Sequence, residues 1–190
     1  MALKSLGGFE IFPWNKSFEM GIPHIDAQHK RLVELLNKLG FYLGHRADNF
    51  QLNEIFDALA AYSDYHFKAE EKVWAGFLKD DPWVTNHQHI HSTFITDVTE
   101  LKKEVEGRSL DETIEDILRF LSRWLVLHIL GDDMRLAKAV HGIENGLSIE
   151  QAKAQADKSM DEEVSVLIET LLQMYDSMAI RTLHLMRSKA

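Results

Sequence analysis

Apolar residues recur at helical spacing along most of this chain. From His24 to Leu43, Ile25, Leu32, Leu35, Leu36, Leu39 and Leu43 share one helix face, with Pro23 at the first helical position and Gly44 as a stop. A second amphipathic helix runs from about Phe50 to Leu78, with Ile55, Leu59, Tyr62, Phe67 and Val73 facing inward. Asp81-Pro82 joins an N-cap to a first-turn proline and opens a third helix that lasts to Gly107. Ser109-x-x-Glu112 is a capping box opening a fourth, which carries Ile114, Ile117, Leu121, Trp124, Leu125 and His128. Hairpin signals and alternating strands are absent. The pattern predicts an all-α fold: an antiparallel up-down-up-down four-helix bundle with an N-terminal arm and a C-terminal helical extension. The arm is residues 1–22, with Phe9, Ile11, Phe12, Trp14 and Phe18 as packing anchors.

Gly142 to Gly146 interrupts the periodicity, which divides the chain into a bundle over 1–141 and an extension over 147–190. Ser148-x-x-Gln151 opens the extension, and Ser159-x-x-Glu162 offers a second capping box inside it. Val164, Ile168, Leu171, Tyr175, Met178 and Leu185 then form a stripe near the coiled-coil period. The bland reading is a fifth helix laid on the bundle. The sharper one is a dimerising or signal-carrying helix.

Composition narrows the functional classes. A hydrophobic share of 45% over 190 residues suits a folded domain. The net charge of −9 argues against nucleic acid as a partner. No apolar run reaches the length of a membrane span, and no basic-then-apolar leader opens the chain. The absence of cysteine excludes thiolate metal sites and fits a cytoplasmic protein.

The candidate chemistry lies in five histidines and two carboxylates within the helices: His29, His66, Glu70, His87, His91, His128 and Asp133. His66 and Glu70 are four apart, as are His87 and His91, so each pair is only about 40° apart around its helix. Burying such a set without a cation costs several kcal/mol, whereas imidazoles and carboxylates on neighbouring helices form a metal box. Nitrogen and oxygen ligands suit iron, zinc, copper or nickel, and seven exceed a structural zinc site. Two carboxylates that bridge two ions would leave five imidazoles shared as three and two, with a vacant position on one ion. The paired Glu-x-x-His motifs of ferritin-type oxidases are missing.

At this point the chain resembles hemerythrin, specifically the bacterial hemerythrin-like domains. The matching text is Gly21-Ile22 through Ile25-Asp26-Ala27-Gln28-His29-Lys30, then His66-Phe67-Lys68-Ala69-Glu70-Glu71, His87-x-x-x-His91, and His128-Ile129 with Asp133 five residues on. It covers roughly residues 10–140. The resemblance implies a bundle around two non-haem irons joined by an oxo or hydroxo group, with dioxygen as the reversible ligand. It places His87, His91 and His128 on one iron and His29 and His66 on the other, with Glu70 and Asp133 bridging. It also chooses between neighbours. Asp132, four residues from His128, looks better on regular helical geometry, since a five-residue step turns roughly 140°. The family pattern uses that step, so Asp133 is taken, with Gly131 or a π-bulge easing the distortion. Glu71, Asp132 and His89 are read as solvent-facing, and His24, His45, His141 and His184 as surface or cap residues. Phe67, Phe94, Trp124, Leu125 and Ile129 are candidates for an apolar oxygen pocket.

The appended helix, set beside the resemblance, points to an oxygen or redox sensor coupled to a signalling output, such as a fused diguanylate cyclase, and its apolar stripe points to homodimerisation through the C-terminal helix. The chain itself is not read as an enzyme. The alternatives are an oxygen carrier or store without output, and a di-iron peroxidase or nitric-oxide-handling protein that would need a proton donor such as Tyr62 or Tyr65.

Overall fold

The computed structural model describes residues 11–45, 48–107, 110–160 and 162–189. After a 3₁₀ turn at Lys16–Phe18 come α1 (Pro23–Gly44), α2 (Asn49–Phe77), α3 (Pro82–Gly107) and α4 (Leu110–Leu127). A π-helical segment, His128–Asp133, leads directly into α5 (Met134–Glu144), followed by α6 (Ile149–Lys158) and α7 (Glu162–Lys189). Helix α1 packs on α2, α2 on α3, α3 on α4, and α4 back on α1. That closed ring is the four-helix bundle. No helix among the described residues is long and apolar enough to cross a membrane.

Local chemistry sets the breaks. Pro23 starts α1, and the Asp26 carboxylate accepts from the backbone N–H of Met20 (2.8 Å) and of Gly21 (3.2 Å), so the arm enters at a fixed angle. Asp48 and Gln51 form a reciprocal capping box that opens α2, a signal the sequence reading passed over. Asp81 accepts from Trp83 N–H at 2.9 Å and caps α3. The capping box expected at Ser109/Glu112 lies outside the described residues. Gly146, at φ +89°, turns the chain after α5, and Ser148 with Gln151 caps α6 as expected. Ser159 departs from expectation. Its hydroxyl donates to the Ala156 carbonyl at 2.8 Å, so it ends α6, and the extension is two helices rather than one.

The described part of the arm, from Ile11 on, is bolted down; Phe9 lies outside the described residues. Phe12 N–H donates to Asn37 Oδ1 and Asn37 Nδ2 donates back to the Phe12 carbonyl, both at 2.7 Å. Ile11 fills the notch left by Gly40, where even a methyl group would collide with it. His141, expected as a surface or cap residue, lies in the last turn of α5 and also acts as a strut: Nε2 faces the Met20 carbonyl at 3.0 Å and Nδ1 faces Glu144 at 3.0 Å. His45 does behave as a cap, with Nδ1 2.9 Å from the Phe41 carbonyl.

Helix α6 packs on α5, and α7 packs on α1 and α4. Leu172 is buried and Tyr175 meets the Phe12 ring edge-on at 5.6 Å, while Leu171, Met178 and Leu185, seven residues apart, are more than half exposed. The apolar interior forms two clusters. One gathers Leu32, Leu36, Phe56, Phe67, Phe94, Leu121 and Ile129. The other gathers Ile25, Trp74, Leu78, Val84, Leu136 and Val140. The candidate ligands of α1, α2, α3 and the π-helical segment lie near the level where one cluster gives way to the other.

Candidate metal centre

Helices α1, α2 and α3 and the π-helical segment contribute to the polar layer, close to where the apolar face changes cluster. His29 follows Ile25 by one turn on α1. His66 and Glu70 precede Trp74 on α2, and His87 and His91 lie between Val84 and Phe94 on α3. His128 and Asp133 begin and end the π-helical segment. Met134 N–H bonds the Ile129 carbonyl five residues back, the π closure that swings a residue five positions on toward the same side as His128. The local distortion expected at Gly131 is therefore present, and Asp133 rather than Asp132 reaches the layer.

All seven residues are buried and turn their side chains inward. Glu70 divides its oxygens: Oε1 lies 3.2 Å from His29 Nε2 and 3.4 Å from His66 Nε2, and Oε2 lies 3.3 Å from His91 Nε2 and 3.7 Å from His128 Nε2. Asp133 divides its own likewise, with Oδ2 3.3 Å from His29 Nε2 and Oδ1 2.7 Å from His87 Nε2 and 3.3 Å from His128 Nε2. Two overlapping groups result, Glu70-His87-His91-His128-Asp133 and His29-His66-Glu70-Asp133, the ligand atoms of each lying within 4.8 Å of one another. The carboxylates belong to both.

Electrostatics favour a cation. Burial pushes both carboxyls up, but the surrounding imidazoles outweigh it, and Glu70 and Asp133 are held below the usual carboxylate range. Burial opposes protonation of His29, yet the Asp133 and Glu70 carboxylates beside it raise it to about 9; His66, with burial dominant, falls to about 4. His66 Nε2, Glu70 Oε2 and Asp133 Oδ2 are buried without a hydrogen-bond partner, and the Nε2 atoms of His91 and His128 are only 3.1 Å apart. Such convergence of lone pairs suits metal ions better than any proton arrangement.

Two further residues complete the layer, and the sequence reading missed both. Gln28 Oε1 sits 3.0 Å from His66 Nδ1. Glu71, read as solvent-facing, is only 29% exposed and places Oε1 3.0 Å from His91 Nδ1. A metal-bound imidazole needs an acceptor for its other nitrogen, so polar residues beside the ligands were the available clue. Asp132 is also no plain surface residue: it is half-buried, 3.9 Å from His128 Nδ1. His89 and His24 are exposed as expected.

The five expected pocket residues fall unevenly. Phe67 stacks on His91 (3.8 Å, 7°) and Trp124 on His128 (4.3 Å, 23°), with Phe94 stacked on Trp124 at 3.8 Å. Phe94, Trp124 and Leu125 bound a void of about 10 Å³ with Leu32, Leu36 and Leu59, room for about one water. Ile129 is fully buried in the core and is not on that wall. Tyr65, offered as a proton donor, is 59% exposed.

Comparison with known proteins agrees with this geometry. Residues 20–140 match the family described as Hemerythrin HHE cation binding domain. The chain belongs to the hemerythrin family. It is 35% identical over 137 residues to a bacteriohemerythrin of Stenotrophomonas maltophilia, which covers 68% of this chain and 82% of the relative. It is 34% identical over 125 residues to a hemerythrin-like protein of Naegleria gruberi, covering 65% and 89%. A bacteriohemerythrin of Pseudomonas aeruginosa is 32% identical over 133 residues, covering 67% and 80%. The hemerythrin match ends within α5, before α6 and α7. Membership supports a non-haem di-iron, oxygen-binding domain.

Proposed function

We propose that this chain is an oxygen- or redox-sensing hemerythrin in which His87, His91 and His128 hold one iron, His29 and His66 hold the other, and Glu70 and Asp133 bridge them. An oxo or hydroxo link between the irons and dioxygen as the outside ligand belong to the same reading. The observation that carries it is the division of both carboxylates, one oxygen toward each histidine group. When bound, the iron pair supplies the electrons for reversible dioxygen binding. The chain's own part is to fix the imidazoles and keep water away. Phe67 and Trp124 lie flat on ligand rings and hold them in one rotamer, and the two apolar clusters close the layer from both sides.

The sensing role rests on connectivity. His128 and Asp133 bracket the π-helical segment that runs straight into α5, against which α6 packs. A shift of either ligand therefore has a rigid path toward the extension. We read residues 147–190 as that outlet. The exposed Leu171, Met178 and Leu185 suit pairing with a second copy or with a signalling module such as a diguanylate cyclase. Catalysis is assigned to such a module, and the chain itself to binding, in the cytoplasm.

Burial of Leu172 and the Phe12–Tyr175 contact favour a second reading, a carrier whose α7 is simply a fifth packed helix. Hydrogen exchange separates the two. Amides of α6 and α7 are expected to change protection several-fold between the reduced and the oxygenated protein. Unchanged exchange there, beside a full optical change at the irons, would leave the carrier.

A further inference from the structure

The two halves of the centre differ in what stands behind their imidazoles. With Nε2 of His66 and of His91 given to the irons of the di-iron reading, the proton of each neutral imidazole is left on Nδ1, which then donates outward. His91 donates to the Glu71 carboxylate at 3.0 Å, and His66 to the Gln28 amide oxygen at 3.0 Å. The distances match and the acceptors differ by one negative charge. Asp132 adds a second carboxylate to the three-histidine half, 3.9 Å from His128 Nδ1. It lines, with His87, a cavity of about 250 Å³. Neither His87 Nδ1 nor His128 Nδ1 has a hydrogen-bond partner.

A carboxylate that accepts from a metal-bound imidazole makes that imidazole a stronger donor, and stronger donation stabilises the more highly charged ion. Gln28, 92% buried, gives His66 orientation without charge. We propose that Glu71, with Gln28 as its neutral counterpart, makes the two irons unequal: the His87/His91/His128 iron is held more strongly in the ferric state than the His29/His66 iron. Glu71 is then a positioning residue that acts through His91. The inference rests on the di-iron reading.

The test is the midpoint potential of the iron-loaded protein, followed optically, for wild type, Glu71→Gln and Glu71→Ala. The amide keeps an acceptor oxygen and removes the charge. If charge matters, Glu71→Gln raises the potential nearly as much as Glu71→Ala. A tenfold loss of ferric preference corresponds to about 59 mV for one electron. Gln28→Glu moves the potential the other way; should that buried charge prevent folding, the Glu71 pair decides alone. A Glu71→Gln protein at the wild-type potential, with only Glu71→Ala displaced, overturns the proposal by reducing Glu71 to a steric prop. Imidazole ¹⁵N shifts of the iron-free protein give an independent readout: His91 keeps its Nδ1–H form in Glu71→Gln and loses that preference in Glu71→Ala, and no difference between the variants counts against the proposal. Wild type that fails to take up two irons sinks the di-iron reading itself. Wild type with two irons and an indifferent Glu71→Gln sinks only this inference.

Discussion

Replacing His128 by alanine is expected to cost the protein its iron and much of its stability. His128 Nε2 lies within 3.7 Å of both shared carboxylates, and its ring is stacked between Trp124 (4.3 Å) and His87 (4.9 Å). Removing it leaves Glu70 and Asp133 fully buried with fewer partners, a change that costs about 3–5 kcal/mol when a buried charge pair is broken. In a chain of this size that lowers the melting temperature by roughly 10 °C. Iron content should fall from two per chain to one or fewer, because a vacated ligand position is taken by water at much lower affinity. Full iron content with an unchanged melting curve would remove His128 from the ligand set.

The second large effect separates two adjacent aspartates. Asp133→Asn should abolish or displace the optical bands of the iron centre, since an amide has one acceptor oxygen where Asp133 uses both, Oδ1 toward His87 and Oδ2 toward His29. Asp132→Asn should leave the bands almost intact, since Asp132 is half-buried and 3.9 Å from the outer nitrogen of His128. Spectra of the two variants, loaded with iron side by side, check this. The reverse result would mean that the π-helical register places the wrong carboxylate in the layer.

That pair also shows what the sequence made legible. Spacings of four placed His66 with Glu70 and His87 with His91, because a regular α-helix repeats nearly every four residues. The five-residue step from His128 to Asp133 has no such warrant. Only the resemblance chose it, and the physical reason appears in the π closure from Met134 back to Ile129. Gln28 and Glu71 escaped notice for a different reason. Each sits next to a ligand in sequence, and an exposed helix position looks the same whether its side chain meets water or bends back to an imidazole on another helix. The extension was half legible: Ser148 read correctly as a cap, but Ser159 has the residue type of an N-cap and does the work of a C-terminal stop. The contact of His141 with the Met20 carbonyl was not legible because the two are 121 residues apart, and sequence spacing carries no information on such contacts.

Whether one layer between two apolar clusters holds a pair of irons is decided by metal analysis of the purified protein. After expression with ample iron, the protein is expected to contain two irons per chain, with oxo-bridged diferric absorption appearing when the reduced protein meets air. One metal ion per chain, or zinc in place of iron under the same conditions, would contradict the di-iron reading.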